Sequence, residues 1–259
     1  MATLKDVKRI VIKVGTSTLT HHTGKSNIRQ IKKLVAVISD IVNSGVEVAL
    51  VTSGAIGVGG GKLGLRDRPT NTAGKQAAAT IGQCELMFMY DKMFAEFGHT
   101  VGQFLITKRD VDNDECRENL INAFEKTFEY GAIPINENDA VAVEEIVFGD
   151  NDSLSAIVAK LIKADALLIL TDIDGLYDKD PHKDEDARII PVVEEITEHL
   201  FEIAGGKGSK FGTGGMITKL QAAQIATEVG IPTIVMNGDS DNIYRVLEGH
   251  QVGTFFTAK

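Results

Sequence analysis

Two lysines stand where a lysine is costly. Lys13 interrupts the apolar run Arg9–Val14 (RIVIKV), two residues before Gly15. Burying an unpaired ammonium is unfavourable, so either this strand is an edge or Lys13 reaches an anion at its end. The anion is the expectation adopted here, and Gly15 would let a ligand approach the backbone closely. Lys219 closes the segment GTGGMITK at Gly212–Lys219, a glycine-rich loop that opens a helix. Backbone N–H groups at a helix start carry partial positive charge and suit phosphate oxygens. First helical turns favour acidic residues, so a Lys there again points to an anion. The other reading is a flexible surface loop, extended by GGKGSKFG at Gly205–Gly212.

Between 136 and 165 the chain gathers Asp139, Asp150, Asp152 and Asp165 with Asn136, Asn138 and Asn151. Short acidic and amide side chains of this kind hold charged, amine-bearing small molecules. Helix capping accounts for one or two of them but not for the group. Ser53, in VTSGA, sits in a Ser–Gly turn after a strand. With no base nearby it reads as a hydrogen-bonding loop for phosphate or substrate rather than a nucleophile.

Other chemistries find no support in the residues. The pattern GxxxxGK[ST] does not occur, which excludes a Walker-type nucleotide loop. GGGKLG at Gly59–Gly64 matches GxGxxG, but the preceding strand ends at Val51, too early for a dinucleotide turn. The six histidines lack metal-site spacing, and there is no GxSxG elbow. A net charge of −9 argues against nucleic acid as a partner. Neither an apolar signal core nor a membrane span is visible, so a cytoplasmic location is expected. Cys84 and Cys116 are far apart in apolar helical patterns and read as buried thiols.

These residues need a scaffold, and 259 residues suffice for one large domain with a sizeable core. Arg9–Val14 and Val46–Val51 are strands separated by a helical stripe from Ile28 to Val42. A helix from about Thr72 to Phe97, a strand at Val101–Ile106, a helix at Glu115–Tyr130 and a strand at Ala132–Ile135 follow. Leu154, Ile157, Val158, Leu161 and Ile162 make a helix stripe leading into the strand Ala166–Leu170. Met216–Val229 is helical, Ile231–Met236 a strand, Ile243–Leu247 a short helix and Thr254–Thr257 a last strand. This alternation implies a mainly parallel sheet covered on both faces. Ligands in such sheets sit beyond the carboxyl ends of the strands. The endings KVGTS, VTSGA, INEND and LTDID are all polar, as one site would require. The polar stretch Asp174–Arg188 is the one composition shift and a candidate boundary between lobes.

KVGTS at Lys13, VTSGAI at Val51, LTDIDGLYDKDP at Leu170 and GTGGM at Gly212 together resemble the amino acid kinase family. The resemblance spans nearly the whole chain and implies transfer of the γ-phosphoryl group of ATP to a carboxylate or similar anion. INENDAV followed by FGDND is more specific, resembling the branch that phosphorylates the γ-carboxylate of L-glutamate at the start of proline synthesis. By this resemblance Ser53, Asp139 and Asn151 contact glutamate, Lys13 and Lys219 grip the phosphoryl group, and Asp152 orients both ammonium groups. Thr171, Asp172, Thr213, Gly214, Gly215, Met216, Ile217, Thr218 and Lys219, with Lys13, would line the ATP site.

The implied fold is α/β, a three-layer α/β/α sandwich around an eight-stranded sheet. Residues 1–170 would form a glutamate-binding and dimerisation lobe and residues 171–259 an ATP lobe. Mg²⁺ accompanying ATP, feedback inhibition by L-proline, and a homodimer or homotetramer are also implied. Many bacterial members add a C-terminal PUA domain; ending at GTFFTAK, this chain is expected to be a kinase domain alone. Alternatives within the family are aspartate or acetylglutamate as acceptor; outside enzymes, a sensor of an amino acid or nucleotide without turnover.

The chemistry is coherent with these residues. A side-chain carboxylate of pKa ~4.3 is already ionised at neutral pH and needs no general base. The obstacle is repulsion between two anions, which paired ammonium groups and helix-start N–H donors relieve. Asp139 can pair with the α-ammonium of glutamate, and Asn151 with its α-carboxylate.

Overall fold

The computed structural model describes residues 4, 6–21, 23, 25–137, 151–181, 184–205 and 215–259. Eight strands form one mostly parallel sheet with helices on both faces, the expected three-layer α/β/α arrangement. The chain divides into two compact units, Met1–Lys13 with Phe148–Lys259 and Val14–Val147. No helix among the described residues is long and apolar enough to cross a membrane.

Strand β1 (Arg9–Val14) closes the segment Met1–Lys13, and its last residue, Val14, opens the second unit. That unit continues with α1 (Thr16–Leu19), α2 (Ile28–Asn43) and β2 (Glu47–Thr52). Then come α3 (Ala55–Lys62), α4 (Thr72–Ala95), β3 (Val101–Phe104), α5 (Lys108–Asp112), α6 (Asp114–Glu129) and β4 (Ile133–Asn136). β4 lies between β3 and β2, parallel to both. Its register, Val51↔Asn136 on one side and Phe104↔Asn136 on the other, brings all three carboxyl ends to one edge.

Helix α3 (AIGVGGGK) escaped the sequence reading, because glycine is a poor helix former. Packing overrides that preference. A Cβ on Gly59 would overlap the carbonyl oxygen of Ala78 on α4, and a Cβ on Gly82 would overlap that of Ala55. The two helices touch backbone to backbone, and Ala55, Ile56, Ala78 and Ala79 form their shared core. The triple glycine of GGGKLG therefore serves helix packing. On α4 the buried face carries Leu86, Tyr90 and Phe94, while Cys84 is exposed. Cys116 on α6 is exposed too. Both thiols correct the expectation of burial; for Cys84 the reason is that α4 is apolar around much of its circumference, so composition did not reveal which face packs.

The other unit holds α7 (Asn151–Leu161), β5 (Ala166–Thr171), β6 (Val192–Val193), α8 (Glu198–Gly205), α9 (Met216–Thr227), β7 (Thr233–Asn237), α10 (Asp241–Leu247) and β8 (Thr254–Phe256). Its strand order is β1-β5-β7-β8-β6. Every residue of β5 (ALLILT) is buried, as the unbroken apolar run of a doubly covered strand requires. β5 and β7 are parallel with Thr171↔Asn237 in register, and β8 runs antiparallel to β7. Asp165 accepts the backbone N–H groups of Lys8 and Arg9 at 2.7 and 2.8 Å, fastening the entry of β1. It is thus a structural member of the acidic group. The polar stretch after Asp174 includes a bridge between Tyr177 and Ile189 and lies within this unit.

Candidate active site

Three elements of one unit deliver charged side chains to a common point. Lys13 is the last residue but one of β1, Asp152 the second residue of α7, and the first turn of α9 carries Thr218 and Lys219; all four are buried. Lys13 Nζ lies 2.7 Å from Asp152 Oδ1, and Lys219 Nζ 3.1 Å from Asp152 Oδ2. The Thr218 hydroxyl donates to Asp152 Oδ2 at 2.7 Å. The carboxylate is only 1 % exposed.

Burial alone would push the Asp152 carboxyl up, but the charges of Lys13 and Lys219, with hydrogen bonds from Lys13 and Thr218, outweigh it. The net effect lowers its pKa to about 2. The carboxylate is therefore ionised throughout the physiological range. The start of a helix favours that charge further. Within these three residues cationic charge exceeds anionic by one. Asp152 aligns two ammonium groups and leaves them suited to a further anion. This resolves both costly lysines: Lys13 is tolerated in a buried strand, and Lys219 in a first helical turn, because they share one counter-ion.

Nearby in the same unit, Thr171 ends β5, and its hydroxyl donates to Asp172 Oδ1 at 3.1 Å. Asn237, at the end of β7, donates to Asp174 Oδ1 at 3.1 Å. Thr171 is buried and Asp172 exposed; Gly215, Met216 and Ile217 lead into the buried Thr218 and Lys219. Asn151 is buried at the start of α7. Thr213 and Gly214, like Asp139 and Asp150, lie outside the described residues.

The Val14–Val147 unit gathers a second polar group at its strand ends. Ser53 follows β2, half-buried, and its N–H donates to the Val14 carbonyl at 3.0 Å. Gly54 has φ +116°, a left-handed conformation that a side chain would strain. Thr52 Oγ1 and the fully buried Tyr90 hydroxyl are 2.9 Å apart, and burial pushes the Tyr90 phenol up. Asn136, at the end of β4, accepts the Ile106 N–H at 3.0 Å through Oδ1, while its Nδ2 is buried without a partner among the described residues. A buried amide donor left open at a strand end is a place for a ligand oxygen. In the sequence Asn136 stood only as one member of the Asp/Asn group, with no contact of its own assigned, although its place at the end of a strand was the available signal. Glu137, fully buried, was missed, and Thr218 was expected to line the ATP site but not to bond Asp152.

The model of the amino acid kinase family matches residues 8–237. The chain is 53 % identical over 262 residues to a glutamate 5-kinase of Clostridium perfringens, covering 99 % of this chain and 97 % of that one. In fold it is similar to a UMP kinase from Bacillus anthracis, with a TM-score of 0.65 at 19 % identity over 98 % of this chain and 97 % of the other. A carbamate kinase from Giardia lamblia bound to AMP-PNP gives a TM-score of 0.67 at 16 % identity, covering 98 % and 99 %.

Proposed function

Because this chain belongs to the amino acid kinase family, we propose that it phosphorylates the γ-carboxylate of L-glutamate with ATP, yielding L-glutamyl 5-phosphate and ADP. The observation that carries this reading is the Lys13–Asp152–Lys219 cluster, with ion pairs of 2.7 and 3.1 Å. The likeness to a glutamate 5-kinase at 53 % identity selects glutamate among acidic acceptors and assigns the reaction to the start of proline synthesis.

In this reading an oxygen of the ionised γ-carboxylate attacks the γ-phosphorus of ATP. A new O–P bond forms as the bond to the bridging oxygen breaks, and ADP departs with that electron pair. No proton needs removing from the acceptor. Lys13 and Lys219 neutralise charge on the phosphoryl group in flight, and Asp152 holds both ammonium groups in place. Asp152 is engaged by two ammonium groups and a hydroxyl, which gives it the role of an orienting group. Mg²⁺ accompanying ATP would be held chiefly by phosphate oxygens and water, and would supply further neutralisation of the polyphosphate charge.

Thr171, Asp172 and the segment Thr213–Lys219 bind ATP, so that the chain from about 171 onward is the nucleotide lobe. Ser53, Asp139 and Asn151 hold glutamate, joined by the open amide of Asn136. Asp139 takes the α-ammonium. Assembly as a homodimer or homotetramer and inhibition by L-proline are further parts of this reading, carried by the resemblance alone, and a cytoplasmic location is another part of it.

The test is ADP release from Mg·ATP with and without L-glutamate, the acyl phosphate being trapped as a hydroxamate. Aspartate and N-acetylglutamate serve as competing acceptors. Glutamate-dependent ADP release with hydroxamate formation is the expected result. Equal release without any acid, or preference for another acid, overturns it.

A further inference from the structure

Glu137 is fully buried, yet the phosphoryl transfer gives it no task. It follows Asn136 at the carboxyl end of β4. Its Oε1 accepts the backbone N–H of Ala55 at 3.3 Å, and its own carbonyl accepts Nε2 of Gln83 at 2.5 Å. Ala55 is the first residue of α3, where N–H groups lack intrahelical acceptors and the helix dipole is positive. A capping side chain normally supplies such an acceptor. Here the capping position is Gly54, which makes no side-chain cap and has a φ of +116°. The geometry of the Ser53–Gly54 turn thus removes the local acceptor. Glu137 supplies one from a different strand.

A carboxylate is among the costliest groups to bury, and apolar side chains would fill the same space more cheaply. Other contacts already tie these elements together: Thr52 to Tyr90, and Ile106 to Asn136. What Glu137 adds is a bond from the end of β4 to the residue after the Ser53–Gly54 turn. We propose that Glu137 is a positioning residue for the amino-acid substrate, clamping the turn that carries Ser53 against the strand end that carries Asn136. With Gln83 anchoring its backbone from α4, the clamp sets the spacing between the two groups that receive glutamate. This inference rests on the reading that Ser53 and Asn136 touch glutamate, and it concerns the acceptor alone.

Steady-state kinetics with glutamate and ATP varied separately test it on the wild-type chain and on Glu137→Leu, Glu137→Gln, Gln83→Leu and Ser53→Ala. Glu137→Leu should raise the glutamate KM about tenfold or more and leave the ATP KM within about twofold. Glu137→Gln retains an acceptor oxygen for the Ala55 N–H and should recover most of that loss. An unchanged glutamate KM in Glu137→Leu, an equal rise in both KM values, or a Gln variant no better than Leu overturns the proposal. Should Glu137→Leu fail to fold, Gln83→Leu decides: a raised glutamate KM supports the clamp, and an unchanged one overturns it. Ser53→Ala separates the two levels. An unchanged glutamate KM there overturns the substrate assignment itself, together with the clamp built on it; a raised KM alongside inert Glu137 variants overturns the clamp alone.

Discussion

Lys13 and Lys219 meet across a single carboxylate, each ammonium on its own oxygen of Asp152 at 2.7 and 3.1 Å. One comes from the end of a strand near the start of the chain, the other from the first turn of a helix near its end. Asp152 therefore does for the lysines what neither could do alone: it makes two buried cations compatible with the fold and fixes their spacing.

Removing either cation should damage turnover far more than folding. Lys13→Ala and Lys219→Ala are each expected to lower kcat about a hundredfold or more, the loss seen when one donor to a developing charge is deleted. Circular dichroism should show a folded protein in both cases. Near-normal turnover in either variant would remove that lysine from the chemistry.

Asp152 links the site to stability at acid pH. Its folded pKa, about 2, lies below the 3.8 of an ordinary aspartate. A depressed pKa contributes stability that is present above pH 4 and lost as pH falls from about 4 toward 2. The contribution is on the order of 2 kcal/mol. Asp152→Asn should consequently cost stability at pH 7, with two cations losing their counter-ion. In urea titrations the gap between wild type and variant should narrow on acidification. A gap of the same size at pH 7 and pH 3 would contradict this account.

Asp139 is expected to act on the acceptor only. Asp139→Asn removes the charge that pairs with the α-ammonium of glutamate. The glutamate KM should rise at least about tenfold, as for loss of a charged hydrogen bond, and the ATP KM should stay nearly constant. Parallel rises in both would show that the residue serves the fold or the nucleotide instead.

The contact of α3 with α4 makes opposite forecasts for neighbouring glycines. Gly82→Ala places a methyl against the Ala55 carbonyl and Gly59→Ala one against that of Ala78. Each should destabilise by about 1–3 kcal/mol through overpacking. At Gly60 the nearest atom to an added Cβ is Leu65 Cδ1, at 4.0 Å. Gly60→Ala should be neutral or stabilise by up to about 1 kcal/mol, because alanine favours the helix. Thermal melts of the three variants suffice to check this.

What the chain alone determined was local in origin. The bounds of β1 matched the apolar run RIVIKV, and β5 differed from ALLIL by one residue, because a doubly covered strand must be apolar throughout. Lys13 and Lys219 could be singled out because each violates a local rule, one for strands and one for helix starts. Contacts between distant segments left no such mark. The family resemblance, not any local pattern, implied that Asp152 serves both lysines; that Thr218 joins it and that Glu137 caps a helix begun from another strand are decided by where the sheet brings chain ends together. The same holds for Cys84 and for α3. Hydrophobic periodicity does not say which face of a broadly apolar helix is covered, and glycine propensity does not show that two backbones must touch. Both are settled by packing, whose energy depends on neighbours far away in sequence.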